Sequence, residues 1–161
     1  MKWSAIEICK IGVEVERNGR AFYLKARDKV ADEDLQKLFS RLADAELIHE
    51  KTYLQILERL EIADPAESEC CYDQEYDIYL GALADTRVFT PQRTVDQIIA
   101  PLKTPSDLLR VAMGFEKDAI LWLSEMINLV ADDEKPVIEE FISYEKEHLA
   151  VLMTELKKLS A

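Results

Sequence analysis

Apolar residues recur at steps of three and four along four long stretches of the chain, with polar residues between them. This spacing places the apolar side chains on one face of an α-helix. The stretches extend over about residues 3–30, 34–61, 105–130 and 134–159. Long helices with one apolar face each bury those faces against one another, so the pattern predicts an all-α helical bundle.

The lengths of the connections predict how the four helices are arranged. Only a few residues separate the first helix from the second and the third from the fourth, and short links join antiparallel neighbours. The middle connection, about 62–104, is long and contains two short helical patterns, around 74–84 and 92–100. We therefore predict two antiparallel helical hairpins joined by one long crossover, forming a single domain over residues 1–161.

Composition and charge exclude several classes of protein. The 161 residues include 20 basic and 32 acidic side chains, a net charge of −12, which argues against nucleic acid or an anionic membrane as the main partner. No apolar run approaches the roughly 20 residues of a membrane span. Three cysteines, Cys9, Cys70 and Cys71, cannot form a disulfide framework, so we expect a cytoplasmic protein with free thiols.

Six ionisable residues interrupt the apolar faces of the four helices: Glu16, Glu46, His49, Glu116, Glu145 and His148. Within each of the pairs Glu46/His49 and Glu145/His148 the spacing is i, i+3, so both members of a pair lie on one face of their helix. Carboxylates without partners are too costly to bury. These positions therefore predict that a positive charge neutralises them inside the bundle.

The same chemistry occurs once in each hairpin. A lone Glu near a helix midpoint is followed 30 residues later in the first hairpin, and 29 in the second, by Glu-x-x-His. Antiparallel helices of equal length bring their midpoints into one layer, so four carboxylates and two imidazoles should converge. Their four negative charges balance two divalent cations, and this donor set suits iron or manganese, with zinc also possible.

These residues resemble the ferritin-like di-iron carboxylate proteins, and most closely the rubrerythrin-type domains. The resemblance rests on Glu16 with Tyr23 seven residues on, and on the segments Glu46-Leu47-Ile48-His49, Phe115-Glu116-Lys117-Asp118 and Glu145-Lys146-Glu147-His148. It implies a ferritin-like four-helix bundle that binds two iron ions.

The resemblance also implies a role for each residue. Glu46 and Glu145 would bridge the ions, Glu16 and Glu116 would be terminal ligands, and His49 and His148 would each complete one ion. Tyr23, and similarly Tyr53, would support a ligand through its hydroxyl; the alternative for both tyrosines is simple packing in the core.

The function implied by the resemblance is reduction of peroxide or O₂ at a di-iron centre. The chain has no Cys-x-x-Cys pair, so we expect a separate electron-donor protein. Ala119 stands where rubrerythrins carry a second Glu, which makes the ligand set closer to the symmetric one of bacterioferritins. Two alternatives are a non-catalytic protein that binds or senses iron and a metal-free helical scaffold. We also expect a homodimer, because the crossover carries several aromatic residues that we predict to be exposed: Tyr72, Tyr76, Tyr79 and Phe89.

Overall fold

The computed structural model describes residues 5–62, 74–86, 94–128, 130, 132 and 135–160. All regular secondary structure within these ranges is helical, which confirms the predicted all-α class. The helices are α1 (Ala5–Lys29), α2 (Glu33–Ile62), α3 (Gln74–Thr86), α4 (Val95–Ile99), α5 (Pro105–Met126) and α6 (Lys135–Lys158). The long helices α1, α2, α5 and α6 form the bundle, and α3 and α4 belong to the crossover. None of the helices in the described ranges combines the length and the apolar character needed to cross a bilayer.

Local capping signals explain where the second hairpin begins. The Thr104 hydroxyl accepts a hydrogen bond from the Asp107 amide, while the Asp107 side chain accepts one from the Thr104 amide, and Pro105 follows in the first turn. The helix α5 ends at Met126, earlier than the predicted end near residue 130. Val130 is nevertheless buried and its amide bonds to the Met126 carbonyl, so the apolar pattern continues past the end of the helix.

The bundle core consists of two apolar clusters with the polar layer between them. One cluster contains Phe22 and Phe39 from the first hairpin and Leu109 and Leu152 from the second. The other contains Tyr53 and Leu123, among others. Each long helix has residues in both clusters. On each helix, the ionisable residues predicted from the sequence lie between the part that joins one cluster and the part that joins the other. The apolar packing on either side therefore sets the level at which these residues meet.

The two crossover helices are attached to the bundle by specific contacts. Leu80 of α3 is fully buried, and the hydroxyls of Tyr76 and Tyr79 both donate to the Glu125 carboxylate of α5. Lys29 of α1 donates to carbonyls at the end of α4 and just beyond it. Tyr76 is half-buried rather than exposed as expected, because its ring packs on the bundle, whereas Tyr79 is exposed. The predictions for Cys70, Cys71, Tyr72 and Phe89 concern residues outside the described ranges.

Gly12 of α1 allows the ring of Tyr53 to pack directly against the α1 backbone. A Cβ at residue 12 would lie 2.5 Å from Tyr53 Cε1, and that ring is buried against Phe141 with centroids 5.6 Å apart. Overpacking a rigid group costs about 1–3 kcal/mol, more than the 0.5–1 kcal/mol or so of helix propensity gained. We therefore expect Gly12→Ala to lower the free energy of unfolding by about 1–2 kcal/mol.

Gly81→Ala in α3 is the matched control for this change. Its added carbon would meet no packing neighbour within 4 Å among the described residues, so only the gain in helix propensity remains and we expect a small stabilisation. Thermal unfolding of both variants gives the comparison. Stabilisation by both substitutions would contradict the close contact between Gly12 and Tyr53.

Candidate metal centre

The structure brings all six predicted site residues together in the middle of the bundle. Glu16 comes from α1, Glu46 and His49 from α2, Glu116 from α5, and Glu145 and His148 from α6. They form two overlapping groups, in each of which the donor atoms all lie within 4.8 Å of one another. The first group is Glu16, Glu46, His49 and Glu145, and the second is Glu46, Glu116, Glu145 and His148. The carboxylates of Glu46 and Glu145 are common to both groups.

The Nδ1 atom of each imidazole faces carboxylates of the cluster, on its own helix as well as on neighbouring ones. His49 Nδ1 lies 2.8 Å from Glu145 Oε1 and 3.5 Å from Glu16 Oε2. His148 Nδ1 lies 3.3 Å from Glu145 Oε2 and 3.7 Å from Glu116 Oε2. The side chain of His148 is 16% exposed, against 4% for His49. The His148 end of the cluster is therefore the end nearest to solvent.

Several buried donor atoms of the cluster make no hydrogen bond of good geometry within the described part of the chain. They are Glu16 Oε2, Glu46 Oε1, His49 Nδ1, Glu116 Oε2 and Glu145 Oε1. Buried polar atoms are ordinarily paired, and these atoms instead converge on common points between the helices. An arrangement of carboxylate oxygens and imidazole nitrogens around a shared point is what a divalent cation requires.

Burial makes the negative charge of the metal-free cluster costly. Removal from water raises the pKa of Glu16, Glu46 and Glu116 well above the usual carboxyl value. The charge of Glu145 raises the pKa of each of the three further. Without a metal, these carboxyl groups therefore keep their protons to a higher pH than an exposed glutamate does.

Glu145 and the two histidines behave differently because they pair with one another. Burial alone would raise the pKa of Glu145, but its contacts with Glu116, His148 and His49 hold it well below the usual carboxyl value. Burial alone would lower the pKa of His148, but Glu116 and Glu145 raise it to about 10. The pKa of His49 is likewise raised by Glu145, against the effect of burial. Without a metal, both imidazoles therefore keep their protons to a higher pH than an isolated histidine does, and this positive charge offsets part of the carboxylate charge.

Tyr23 contacts a carboxylate of the cluster through its hydroxyl, and Tyr53 and Gly19 lie beside the cluster. The Tyr23 hydroxyl donates to Glu116 Oε1, leaving Oε2 to face the cluster. Tyr53 is buried beside the site, and its pKa is raised by burial and then by the charges of Glu16 and Glu145. A Cβ at Gly19 would lie 3.4 Å from the Glu46 carboxyl carbon, in van der Waals contact with it. Tyr23 therefore contacts a candidate ligand as the resemblance implied, and Gly19 marks a close approach of α1 and α2.

Two further contacts at the site were not found from the sequence. The ring of Tyr144 stacks on that of His49, with centroids 5.9 Å apart and an angle of 23° between the planes. The Arg17 guanidinium donates to Glu50 Oε1 at 2.6 Å, joining α1 and α2 beside the cluster. Tyr144 precedes His148 by four residues on α6, so the two share a helix face. This spacing is the feature of the sequence that could have indicated that Tyr144 lies near the cluster.

Comparison with known proteins supports the fold. No family model matches the chain, and no curated protein matches it. A solved structure from Thermotoga maritima, described as a ferritin-like diiron-carboxylate protein, superposes with a TM-score of 0.74 at 23% sequence identity. The match covers 99% of this chain and 98% of that one. The chain therefore has the ferritin-like four-helix bundle fold, with a buried glutamate and histidine cluster that can hold metal at its centre.

Proposed function

We propose that this chain is a di-iron redox protein of the rubrerythrin type, which reduces hydrogen peroxide or O₂ at the cluster. The observation that carries the proposal is the pair of overlapping donor groups that share Glu46 and Glu145. Two shared carboxylates bring two cations close together, whereas separate groups would hold them apart. Two ferrous ions, when bound, can supply one electron each to a two-electron oxidant.

The residues divide between the two ions by position. Glu16 and His49 belong to one group only, so they would complete the first ion, and Glu116 and His148 would complete the second. Glu46 and Glu145 would bridge. The four carboxylates then neutralise the two divalent ions, which removes the cost of burying them.

Other residues of the chain keep the ligands in place and keep water out. Tyr23 holds one oxygen of Glu116, so that the other is available to metal. The fully buried rings of Phe22 and Phe39 lie in the apolar cluster on one side of the site. The partly exposed His148 offers the shortest approach for a molecule as small as peroxide.

We propose that the chain forms a homodimer and that it receives electrons from a separate donor protein. The outer face of α3 supports the dimer, since Ile78 is 66% and Tyr79 40% exposed. An apolar face of this kind favours contact with a second copy.

Manganese or zinc in place of iron would leave the ligand assignment unchanged but would change the reaction that the centre can carry out.

Peroxide titration of the protein loaded anaerobically with ferrous iron tests the proposed activity. We expect rapid oxidation of two ferrous ions per peroxide, monitored by absorbance, followed by repeated cycles when a chemical reductant is added. A protein that only binds or senses iron would show one slow oxidation without cycling. Failure to bind two irons per chain would contradict the site itself.

A further inference from the structure

Tyr144 connects the candidate metal centre to the protein surface. Its ring stacks on the buried ring of His49, within the range of centroid separations typical of aromatic pairs. The residue is nevertheless 40% exposed. His49 also contacts the rings of Phe141 and His148, but Phe141 is buried and His148 is itself a candidate ligand. Tyr144 is therefore the solvent-exposed aromatic ring among these contacts.

The Tyr144 hydroxyl has a base positioned to take its proton. It donates to Glu140 Oε1 at 2.7 Å, and Glu140 is an exposed carboxylate one helical turn away, outside the metal cluster. A phenol loses its proton when it loses an electron, so a neighbouring carboxylate makes the oxidation easier. The stacked His49 ring gives the electron a short route to the centre. The electron and the proton that the phenol loses on oxidation therefore each have an acceptor nearby.

We propose that Tyr144 is the residue from which the centre draws an electron when it holds only one ferrous ion and meets hydrogen peroxide. The inference rests on the proposed peroxide chemistry. Peroxide needs two electrons, and a single ferrous ion, when bound, would supply only one of them. Tyr144 supplies the other through His49, the O–O bond breaks to give two hydroxide ions, and the phenol proton passes to Glu140. The products are a ferric ion and a tyrosyl radical at the surface, where an external one-electron reductant restores the phenol.

This arrangement protects the protein from a damaging reaction. One-electron reduction of peroxide by a lone ferrous ion would release a hydroxyl radical inside the bundle. Transfer of the second electron from Tyr144 moves the oxidising equivalent to the surface instead.

Tyr23 is less suited to this role although it lies closer to the cluster. It is fully buried, so a reductant in solution cannot reach it. Its hydroxyl donates to Glu116, which is a candidate ligand. A bound metal would neutralise the negative charge of Glu116 and so make this carboxylate a weaker proton acceptor. Tyr144 has neither disadvantage.

The test uses the full-length protein loaded anaerobically with one ferrous ion per chain and mixed with one equivalent of peroxide. Freeze-quenched samples are examined by electron paramagnetic resonance for a tyrosyl radical, and peptide mass spectrometry then locates oxidised tyrosine. Tyr144→Phe keeps the stacked ring but cannot form the radical. Tyr79→Phe is the matched control, because Tyr79 is equally exposed at 40% and donates to a carboxylate, Glu125, at 2.8 Å.

We expect the radical in the unmodified protein and in Tyr79→Phe, and loss of most of the signal in Tyr144→Phe. Glu140→Gln, which removes the proton acceptor, should also reduce the signal. An unchanged signal in Tyr144→Phe, or oxidation located at Tyr23, would overturn the inference while peroxide still oxidises the iron. If peroxide does not oxidise the iron in any variant, the proposed function fails, and the inference fails with it.

Discussion

Replacing Glu145 with glutamine should remove both metals from the protein. Glu145 belongs to both donor groups, and the substitution keeps the shape of the side chain while removing its charge. Residues that only support a ligand change metal affinity by about 10–100-fold, so loss of a shared ligand should weaken binding by about a hundredfold or more. Anaerobic titration with ferrous or cobalt ions, followed by metal analysis, measures the stoichiometry and the affinity.

Glu147→Gln provides the matched control for this prediction. Glu147 lies two residues further along α6 and is exposed, so its substitution removes the same charge from the same helix without touching the cluster. We expect the control to bind two metals per chain with unchanged affinity. If Glu145→Gln also bound two metals as tightly, the assignment of Glu145 as a bridging ligand would be wrong.

The difference in thermal stability between the metal-loaded and the metal-free protein should increase with pH. In the metal-free protein, the pKa values of Glu16, Glu46 and Glu116 are raised by burial. Their protonated forms stabilise the fold at low pH, and this stabilisation is lost as the pH rises through the folded-state pKa values. The raised pKa of His148, about 10, has the same sign, because its contribution is complete below the unfolded value near 6.5 and disappears as the pH approaches 10.

The contribution of Glu145 to the pH dependence of stability has the opposite sign, but it acts at lower pH. Its pKa is lowered in the folded protein, so its stabilising contribution is present above the unfolded carboxyl value and is lost only in acid. Between pH 6.5 and 9 or so, the raised groups therefore decide the result, and the metal-free protein should become less stable as the pH rises.

Metal binding has the reverse pH dependence because the ligands must lose their protons to bind. Each proton displaced adds about 1.4 kcal/mol to the binding free energy per pH unit, or roughly 3–5 °C in melting temperature for a protein of this size. Melting curves with Mn²⁺ and with a chelator, recorded from pH 6 to 8.5, test this expectation. Glu145→Gln serves as the control without metal binding. A difference in melting temperature that does not change with pH would contradict the competition between protons and metal for the ligands.

Helical periodicity was sufficient to predict the bundle, because each long helix carries one continuous apolar face. The polar residues within those faces were equally informative. Glu46 with His49 and Glu145 with His148 could be assigned to one helix face from their spacing alone, and burial of a carboxylate without a partner is costly enough to imply a metal. The end of α5 was less predictable, since buried Val130 continues the apolar pattern after the helix has ended at Met126.

By itself, the sequence determined the fold class, the donor types and the level of the cluster, because these follow from residue type and from the period of one helix. The tertiary structure decided which atoms meet. It placed Glu46 and Glu145 in both donor groups, made His148 more exposed than His49, and stacked Tyr144 on His49. Those contacts depend on the rotation and offset of each helix relative to its neighbours. Rotation and offset result from the packing of many apolar side chains at once, and no single spacing in the chain records them.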